Sequence, residues 1–468
     1  MAQINKQENK VGVAFNWITF ALKLLMLFAI IVVVVSYTDR KGYFMSDQSN
    51  NHTKRKWDAF YKFTQIKKID VLVVGNSHVF TGIDPFVLSV ATGSNCFLLG
   101  NSGAGIADAY FSLGEVLQKI KPTVVIVETY AINDNSKVEG MAEIQSFEAH
   151  QDIAYKLRMM PELFNSNNWV KIWSPSIRNH SFLLTNTAQI ESNRKNIAPP
   201  RQNKLELGRF ARFETGLEDS TLMKYKTLGA PIDGRERNIS EHSKKYVNKI
   251  IELCKSKNVP VLFVTAPMYH AHIAHYETWK ATLNEELQKY PSAQWLDLQS
   301  PYDTVRYTPA AFENTYGANQ HLSNTGMVIT GYKLAEYLSN NYSLPDRSKD
   351  PQWIADFETQ PHFIFNQDAT PNMSDYTSVV KNKNRGAEKI KDLLVQKNTN
   401  HNRIIIKIEK PTTLGESITG VFQVQYQNQQ FPASIPMYSF KEVFPPHYNV
   451  YVADIQSDVQ ILDVVSIQ

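Results

Sequence analysis

The sequence predicts an α/β domain built on a parallel sheet, preceded by an apolar amino-terminal helix and followed by a smaller β-rich domain. Three observations carry that expectation. Five short strand-like runs, at residues 70–74, 95–99, 123–127, 260–265 and 294–298, are interleaved with amphipathic helical patterns. The first run, Val71-Leu72-Val73-Val74, is wholly apolar and stops abruptly at Gly75-Asn76-Ser77-His78. After residue 402 the pattern changes to alternating runs separated by turn signals.

From the amino terminus, residues 14–37 are almost wholly apolar and carry a single charge, Lys23, whose amine can snorkel to a nearby interface. Roughly 20 apolar residues cross a bilayer's hydrocarbon. Tyr37-Thr38-Asp39-Arg40 follows the run in place of a small-x-small cleavage site, so the segment reads as an uncleaved anchor rather than a signal peptide. Residues 1–13 then form a short cytoplasmic leader. Lys6 and Lys10 precede the span and Arg40 and Lys41 follow it, so the basic residues barely decide its orientation. Residues 38–66, polar and aromatic, read as a juxtamembrane stalk.

The α/β domain is expected over residues 67–345. The valine-rich first run reads as a buried parallel strand, and the alternation of strand and helix argues for a parallel sheet covered on both faces. Helices are expected at 107–119, 241–257, 278–289 and 324–339. The interval 135–240 is long for a connection and reads as an insertion containing helical pieces such as 153–164. It forms either a lid or acceptor surface at the active rim, or a plain helical embellishment. Residues 346–468 form the carboxyl-terminal domain, with a helix-like piece at 385–397 and strands at 403–409, 420–427, 448–454 and 459–465. These suggest a small β-sandwich, serving as a packing module or a carbohydrate binder.

Composition bounds the function. The chain has 468 residues, 43% hydrophobic and 20% charged, with a net charge of +4. That suits a globular protein of more than one domain and gives no sign of nucleic-acid binding. The two cysteines, Cys96 and Cys254, lie in apolar surroundings and read as buried thiols rather than a disulfide framework. His270, His272 and His275 do not have the spacing of a helical zinc site, so no metal is expected and a zinc hydrolase is the weakest reading.

The chemistry is expected where strands end, since open α/β sheets gather ligands beyond the carboxyl ends of their strands. Ser77 follows the first strand, where it can serve as a nucleophile, or where Asn76 or Ser77 can simply cap a helix. Gly100-Asn101-Ser102-Gly103-Ala104-Gly105 follows the second. Its small residues let N–H groups approach a ligand, so the N–H groups of Ser77 and Gly103 can form an oxyanion hole, the alternative being an ordinary glycine-rich turn. The third strand ends in Glu128-Thr129-Tyr130, with Asn133 a further oxyanion candidate or a turn cap beside Asp134. Glu128 is either a salt-bridge partner or a ligand for substrate hydroxyls. The base is expected late: Asn319-Gln320-His321-Leu322-Ser323 places His321 just before the last helix, with the 270–275 histidines as competitors.

Taken as an ordered set, Gly75-Asn76-Ser77-His78, Asn101-Ser102-Gly103 and His321-Leu322-Ser323 resemble the first, second and last blocks of the SGNH (GDSL-like) hydrolase superfamily. More narrowly, the chain is similar to membrane-anchored bacterial cell-envelope proteins of the DltD-like and AlgJ/AlgX-like kind. The resemblance covers about residues 67–345 and implies a flavodoxin-like three-layer α/β/α fold. It also implies a cofactor-free serine esterase or acyltransferase on the inner membrane, its catalytic domain facing the periplasm or exterior. The implied substrate is an acylated envelope polysaccharide, and a membrane-bound O-acyltransferase is the implied partner for transfer. Ser77 would be the nucleophile and His321 the general base, with oxyanion donors at Ser77, Gly103 and Asn133. Asn101, Glu128, Tyr130 and Asn319 would play supporting parts. Two departures stand out. The family's acid, three residues before its histidine, is Ala318 here, and its third-block asparagine falls near Tyr130, with Asn133 displaced. A backbone carbonyl, or an acid such as Asp303 or Glu313, must then orient His321. Otherwise the chain is a slow dyad, or an inactive scaffold or glycan-binding relative.

Overall fold

A computed structural model describes residues 2–45, 52–132, 140–195, 207, 217–228, 239–269, 276–304, 307–314, 321–351, 376–385, 388–397, 401–409, 417–426, 428–439, 448–456 and 459–467. The chain divides into two compact units, residues 1–51 with 160–200 and residues 52–159 with 201–468.

In the first unit, helix α1 (Ala2–Lys41) contains a segment, Trp17–Lys41, long and apolar enough to cross a membrane. Short helices from the long insertion belong with it: α8 (Trp169–Trp173), α9 (Pro175–Arg178), α10 (Phe182–Thr185) and α11 (Thr187–Lys195). The insertion begins with α6 (Met141–Ala149) and α7 (Ile153–Leu163), and a later helix, α12, spans Asp219–Leu228.

The second unit is centred on five strands: β1 (Val71–Gly75), β2 (Cys96–Gly100), β3 (Val124–Glu128), β4 (Val261–Thr265) and β5 (Ala293–Asp297). All pair in parallel, in the order β2-β1-β3-β4-β5. Every residue of the first four strands is buried, whereas β5, at an edge, is half-buried. That is why the first four read as apolar runs and the fifth carries Gln294 and Asp297.

Helices cover both faces. On one face, α3 (Ser77–Phe80), α4 (Pro85–Thr92) and α15 (Asn324–Asn341) pack Val79, Leu88, Leu334 and Leu338 against Val71, Val73, Leu98 and Ile126. On the other lie α2 (His52–Ile66), α5 (Ile106–Val116) and α13 (Glu241–Ser256), with α14 (Tyr276–Gln288) beside β5. Local signals set the helix ends. Asp84 accepts from the N–H groups of Phe86 and Val87 to start α4 with Pro85 in its first turn. Ser240 and Ser323 cap α13 and α15 in the same way.

Two boundaries differ from expectation. Residues 52–66 form no stalk. They are α2, whose Trp57 and Phe60 are fully buried, with Phe60 edge-on to Phe97 of β2 at 5.7 Å. The α/β domain also extends past residue 345. Arg347 makes two hydrogen bonds to the Asp70 carboxylate, at 2.6 and 2.7 Å, and its N–H donates to the Gly93 carbonyl at 2.6 Å. Cys96 and Cys254 are free and buried, and burial pushes both thiols up to about 12.

The carboxyl-terminal part contains seven antiparallel strands: β6 (Tyr376–Arg385), β7 (Glu388–Lys397), β8 (His401–Glu409), β9 (Ser417–Tyr426), β10 (Gln429–Ser439), β11 (Tyr448–Gln456) and β12 (Gln460–Ile467). Among the described residues, the groups β12-β9-β10 and β11-β8-β7-β6 are joined by two residue pairs, Tyr438↔Val452 and Ser439↔Tyr451. Both groups contribute to one core around Ile404, Ile406, Phe422, Val424 and Met437, a sandwich-like arrangement. Lys383 of β6 meets Asp463 of β12 at 2.6 Å, closing the far edge. Where a helical piece is expected at 385–397, Arg385 ends β6 and Glu388–Lys397 is strand β7. A bulge opposite β8, between Ile390 and Asp392, breaks the two-residue alternation. The resulting spacing of buried Ile390, Leu393 and Leu394 imitates a helix.

Candidate active site

β1 delivers Ser77 to the carboxyl-terminal rim of the sheet. The turn depends on glycine twice. Gly75 has φ +148°, and a Cβ there would lie 2.9 Å from Val79 Cγ2 and 3.1 Å from Glu128 Cβ. At Gly100, the end of the neighbouring strand, a Cβ would lie 2.5 Å from the Asn76 carbonyl oxygen. Asn76 caps the short helix by accepting from the His78 N–H at 3.0 Å, so it takes the capping role and leaves the Ser77 hydroxyl free of it.

His321 comes from the opposite end of the domain. Its Nε2 lies 3.1 Å from Ser77 Oγ, and its Nδ1 lies 2.9 Å from Glu313 Oε2. The carboxylate fixes the tautomer. Nδ1 must carry the proton that it donates to Glu313, which leaves the Nε2 lone pair to accept from the serine hydroxyl. A two-strand bridge holds this pair. Phe312 and Leu322 pair antiparallel, the Glu313 N–H donates to the His321 carbonyl at 2.9 Å, and the Ser323 N–H donates to that of Ala311 at 3.0 Å. The row is mostly but not wholly buried: the side chains of Glu313 and His321 are 5% and 13% exposed, and Ser77 is 5% exposed. Asp303, the other acid considered from the sequence, is engaged elsewhere, with Lys333 at 2.5 Å.

Among the described residues, the N–H groups of Ser77 and Gly103 meet no acceptor. Gly75 and Gly100 are paired across β1 and β2, so both loops leave the same edge of the sheet. Asn101 does not turn to this edge. Its amide is buried and donates to Asp108, to Ser146 Oγ at 2.9 Å and to Ser112 Oγ at 3.2 Å. The network continues inward, with Ser112 Oγ 3.4 Å from His150 Nε2 and Glu115 Oε2 2.6 Å from His150 Nδ1. Tyr61 closes the chain on the other Glu115 oxygen. Burial pushes the Asp108 carboxyl up, against the opposing pull of His150, Ser146 and Asn101. Burial also pushes Glu115 up, but its hydrogen bonds to His150 and Tyr61 and the imidazole's charge outweigh this and hold it below the ordinary carboxylate range.

Glu128 is fully buried and accepts from the Tyr130 N–H at 2.9 Å, shaping the turn after β3. The Tyr130 ring stacks on His78 at 4.0 Å, and His78 meets the His321 ring edge-on at 5.1 Å. Glu128 and Tyr130 therefore act behind the site. Asn133 and Asn319, together with Ala318, His270, His272 and His275, lie outside the described residues. Among the described residues there is no cluster of metal-ligating side chains.

The sequence offers Glu313 only as one acid of several, because its pairing with His321 has no local signature. Two contacts of the site have no signal in the sequence at all. The His78 ring contact required Tyr130 to arrive from another strand. Lys56, buried on α2, reaches the Gly100 carbonyl at 2.5 Å and lies 3.3 Å from the Phe80 ring centre. No family model matches the chain, and a search of curated proteins finds no match.

Proposed function

We propose that this protein is a serine esterase or O-acyltransferase of the SGNH type, with a flavodoxin-like α/β/α core. In this reading α1 anchors it in the inner membrane, with the catalytic domain on the outer side, and its substrate is an acylated cell-envelope polysaccharide. The observation that carries the reading is the hydrogen-bonded row Ser77–His321–Glu313 at the rim of a parallel sheet. The rim also carries the N–H groups of Ser77 and Gly103, which meet no acceptor among the described residues.

The chemistry follows from that row. Ser77 Oγ gives its proton to His321 Nε2 as it attacks the acyl carbonyl carbon. Glu313 stabilises the imidazolium so formed. The Ser77 and Gly103 N–H groups receive the oxyanion. The ester C–O bond breaks, the departing sugar oxygen takes the proton from His321, and the acyl group remains on Ser77. Water or an acceptor sugar hydroxyl then gives its proton to His321 as it attacks the acyl carbon, and the proton returns to Ser77 Oγ as the acyl–serine bond breaks; in the transfer reading a membrane-bound O-acyltransferase brings the acyl groups across the membrane. An inactive scaffold is the poorer reading, since its main support was the want of an acid at Ala318, and Glu313 fills that place.

A fluorophosphonate probe tests the proposal on the full-length protein in detergent. Covalent labelling of the wild type is expected, with loss in Ser77→Ala and His321→Ala variants that keep the wild-type melting temperature. A folded wild type that takes no label would refute it.

A further inference from the structure

The first unit carries a feature that esterase chemistry does not use. At the end of α1, Asp39 accepts from Ser174 Oγ at 2.5 Å and from the Ser176 N–H at 2.7 Å. Thr38 Oγ1 lies 2.7 Å from Ser176 Oγ. Asn179 donates to the Phe44 carbonyl at 2.7 Å, and Asn193 donates to those of Tyr43 and Met45 at 2.9 and 2.7 Å. Polar contacts thus fasten α8, α9 and α11 around one end of the apolar helix.

The apolar side chains of this group are left uncovered. Trp169, Val170, Trp173, Ile177, Leu183 and Leu184 are all exposed, Leu184 by 92%. Val35, Ser36 and Asp39 share with Trp169, Trp173 and Ile177 the walls of an open cavity of about 540 Å³. Its depth along α1 can be reckoned. Val35 lies 18 residues beyond Trp17, a rise of about 27 Å at 1.5 Å per residue. That is close to the thickness of a bilayer's hydrocarbon, about 30 Å. The cavity therefore sits where hydrocarbon gives way to headgroups, the level at which tryptophans collect. Lys171 and Arg178 lie in the same segment, and Arg40 and Lys41 end α1, so cations accompany the apolar side chains.

We propose that residues 166–185 form an interfacial collar: α8, α9 and α10 lie in the membrane surface around the end of α1. Their apolar side chains, and the cavity beside Val35, are covered by phospholipid chains of that leaflet. The inference rests on reading α1 as membrane-spanning. Lipid is favoured over a second copy of the chain because the uncovered surface is continuous with the lipid-length face of α1 and is accompanied by tryptophans and cations.

The test uses the full-length protein in vesicles of neutral and anionic phospholipid. An environment-sensitive fluorophore is placed on single cysteines, V170C, L184C or L25C, the native thiols being buried. Nitroxide lipids serve as shallow and deep quenchers. The expected result is blue-shifted emission at positions 170 and 184, quenched about two-fold or more by the shallow nitroxide, with position 25 quenched by the deep one. Water-like, unquenched emission at 170 and 184 with position 25 still deep would overturn the collar and leave the anchor standing. Failure at position 25 would remove the anchor and the collar with it. Blue-shifted emission without lipid quenching, together with L184C cross-linking between copies, would assign the surface to a protein interface and overturn the proposal.

Discussion

Replacing Glu313 with Gln tests whether this carboxylate is the acid that the sequence does not supply at Ala318. Gln keeps an acceptor oxygen for His321 Nδ1 and removes only the charge. The charge matters when His321 holds the serine proton. At the observed 2.9 Å, an ion pair in a medium of effective dielectric about 20 is worth roughly 6 kcal/mol. His321 is partly exposed, so solvent screening reduces this to about 4 kcal/mol. At 1.36 kcal/mol per decade, that is a loss of roughly 10³ in kcat. Hydrolysis of para-nitrophenyl acetate by the detergent-solubilised protein measures it, with Ser77→Ala as the background. KM should change little, because the charge acts in the transition state and not on bound ester. Asp303→Asn, which removes the partner of Lys333 outside the row, should keep kcat within about three-fold of wild type. A Glu313→Gln enzyme with near wild-type kcat, or an Asp303→Asn enzyme that loses it, would refute the assignment.

Two further outcomes follow from the surrounding structure. Gly100→Ala places a methyl 2.5 Å from the Asn76 carbonyl and 2.6 Å from Val79 Cβ, which should cost about 1–3 kcal/mol in urea denaturation. It should also shift Ser77 enough to slow fluorophosphonate labelling about ten-fold or more, and unchanged stability with unchanged labelling would contradict the crowding argument. Glu115→Gln breaks the buried pair with His150 and should cost about 3–5 kcal/mol at neutral pH. Because the folded protein holds the Glu115 carboxyl below its ordinary value, its stabilisation is present above about pH 4.3 and fades as pH falls through the lower folded value. The gap between wild type and variant in denaturation midpoints should therefore shrink in acid, and a gap that widens would reverse the sign assigned to this carboxyl.

How legible the protein was from its sequence depended on the range over which each feature is determined. The five strands were readable to within a residue or two at their ends, the first four because burial on both faces demands apolar runs such as Val71–Val74 whatever surrounds them. Ser77 and His321 could be singled out because each follows or precedes a strong element boundary. The stalk failed because the aromatic residues of α2 look the same whether they meet a membrane or the back of β2. The strand β7 failed because one extra residue in a bulge shifts the phase of an alternating pattern.

Local sequence thus determined which segments are apolar strands, where the sheet's rim lies, and that a membrane-length helix precedes it. Those properties rest on side-chain burial within a few residues of chain. Tertiary structure decided which acid faces His321, that the loops after β1 and β2 leave one edge of the sheet, and that Asn101 turns inward to Asp108. Each of these depends on two segments distant in sequence arriving at one place, and only the packed backbone sets the hydrogen-bond distance between them.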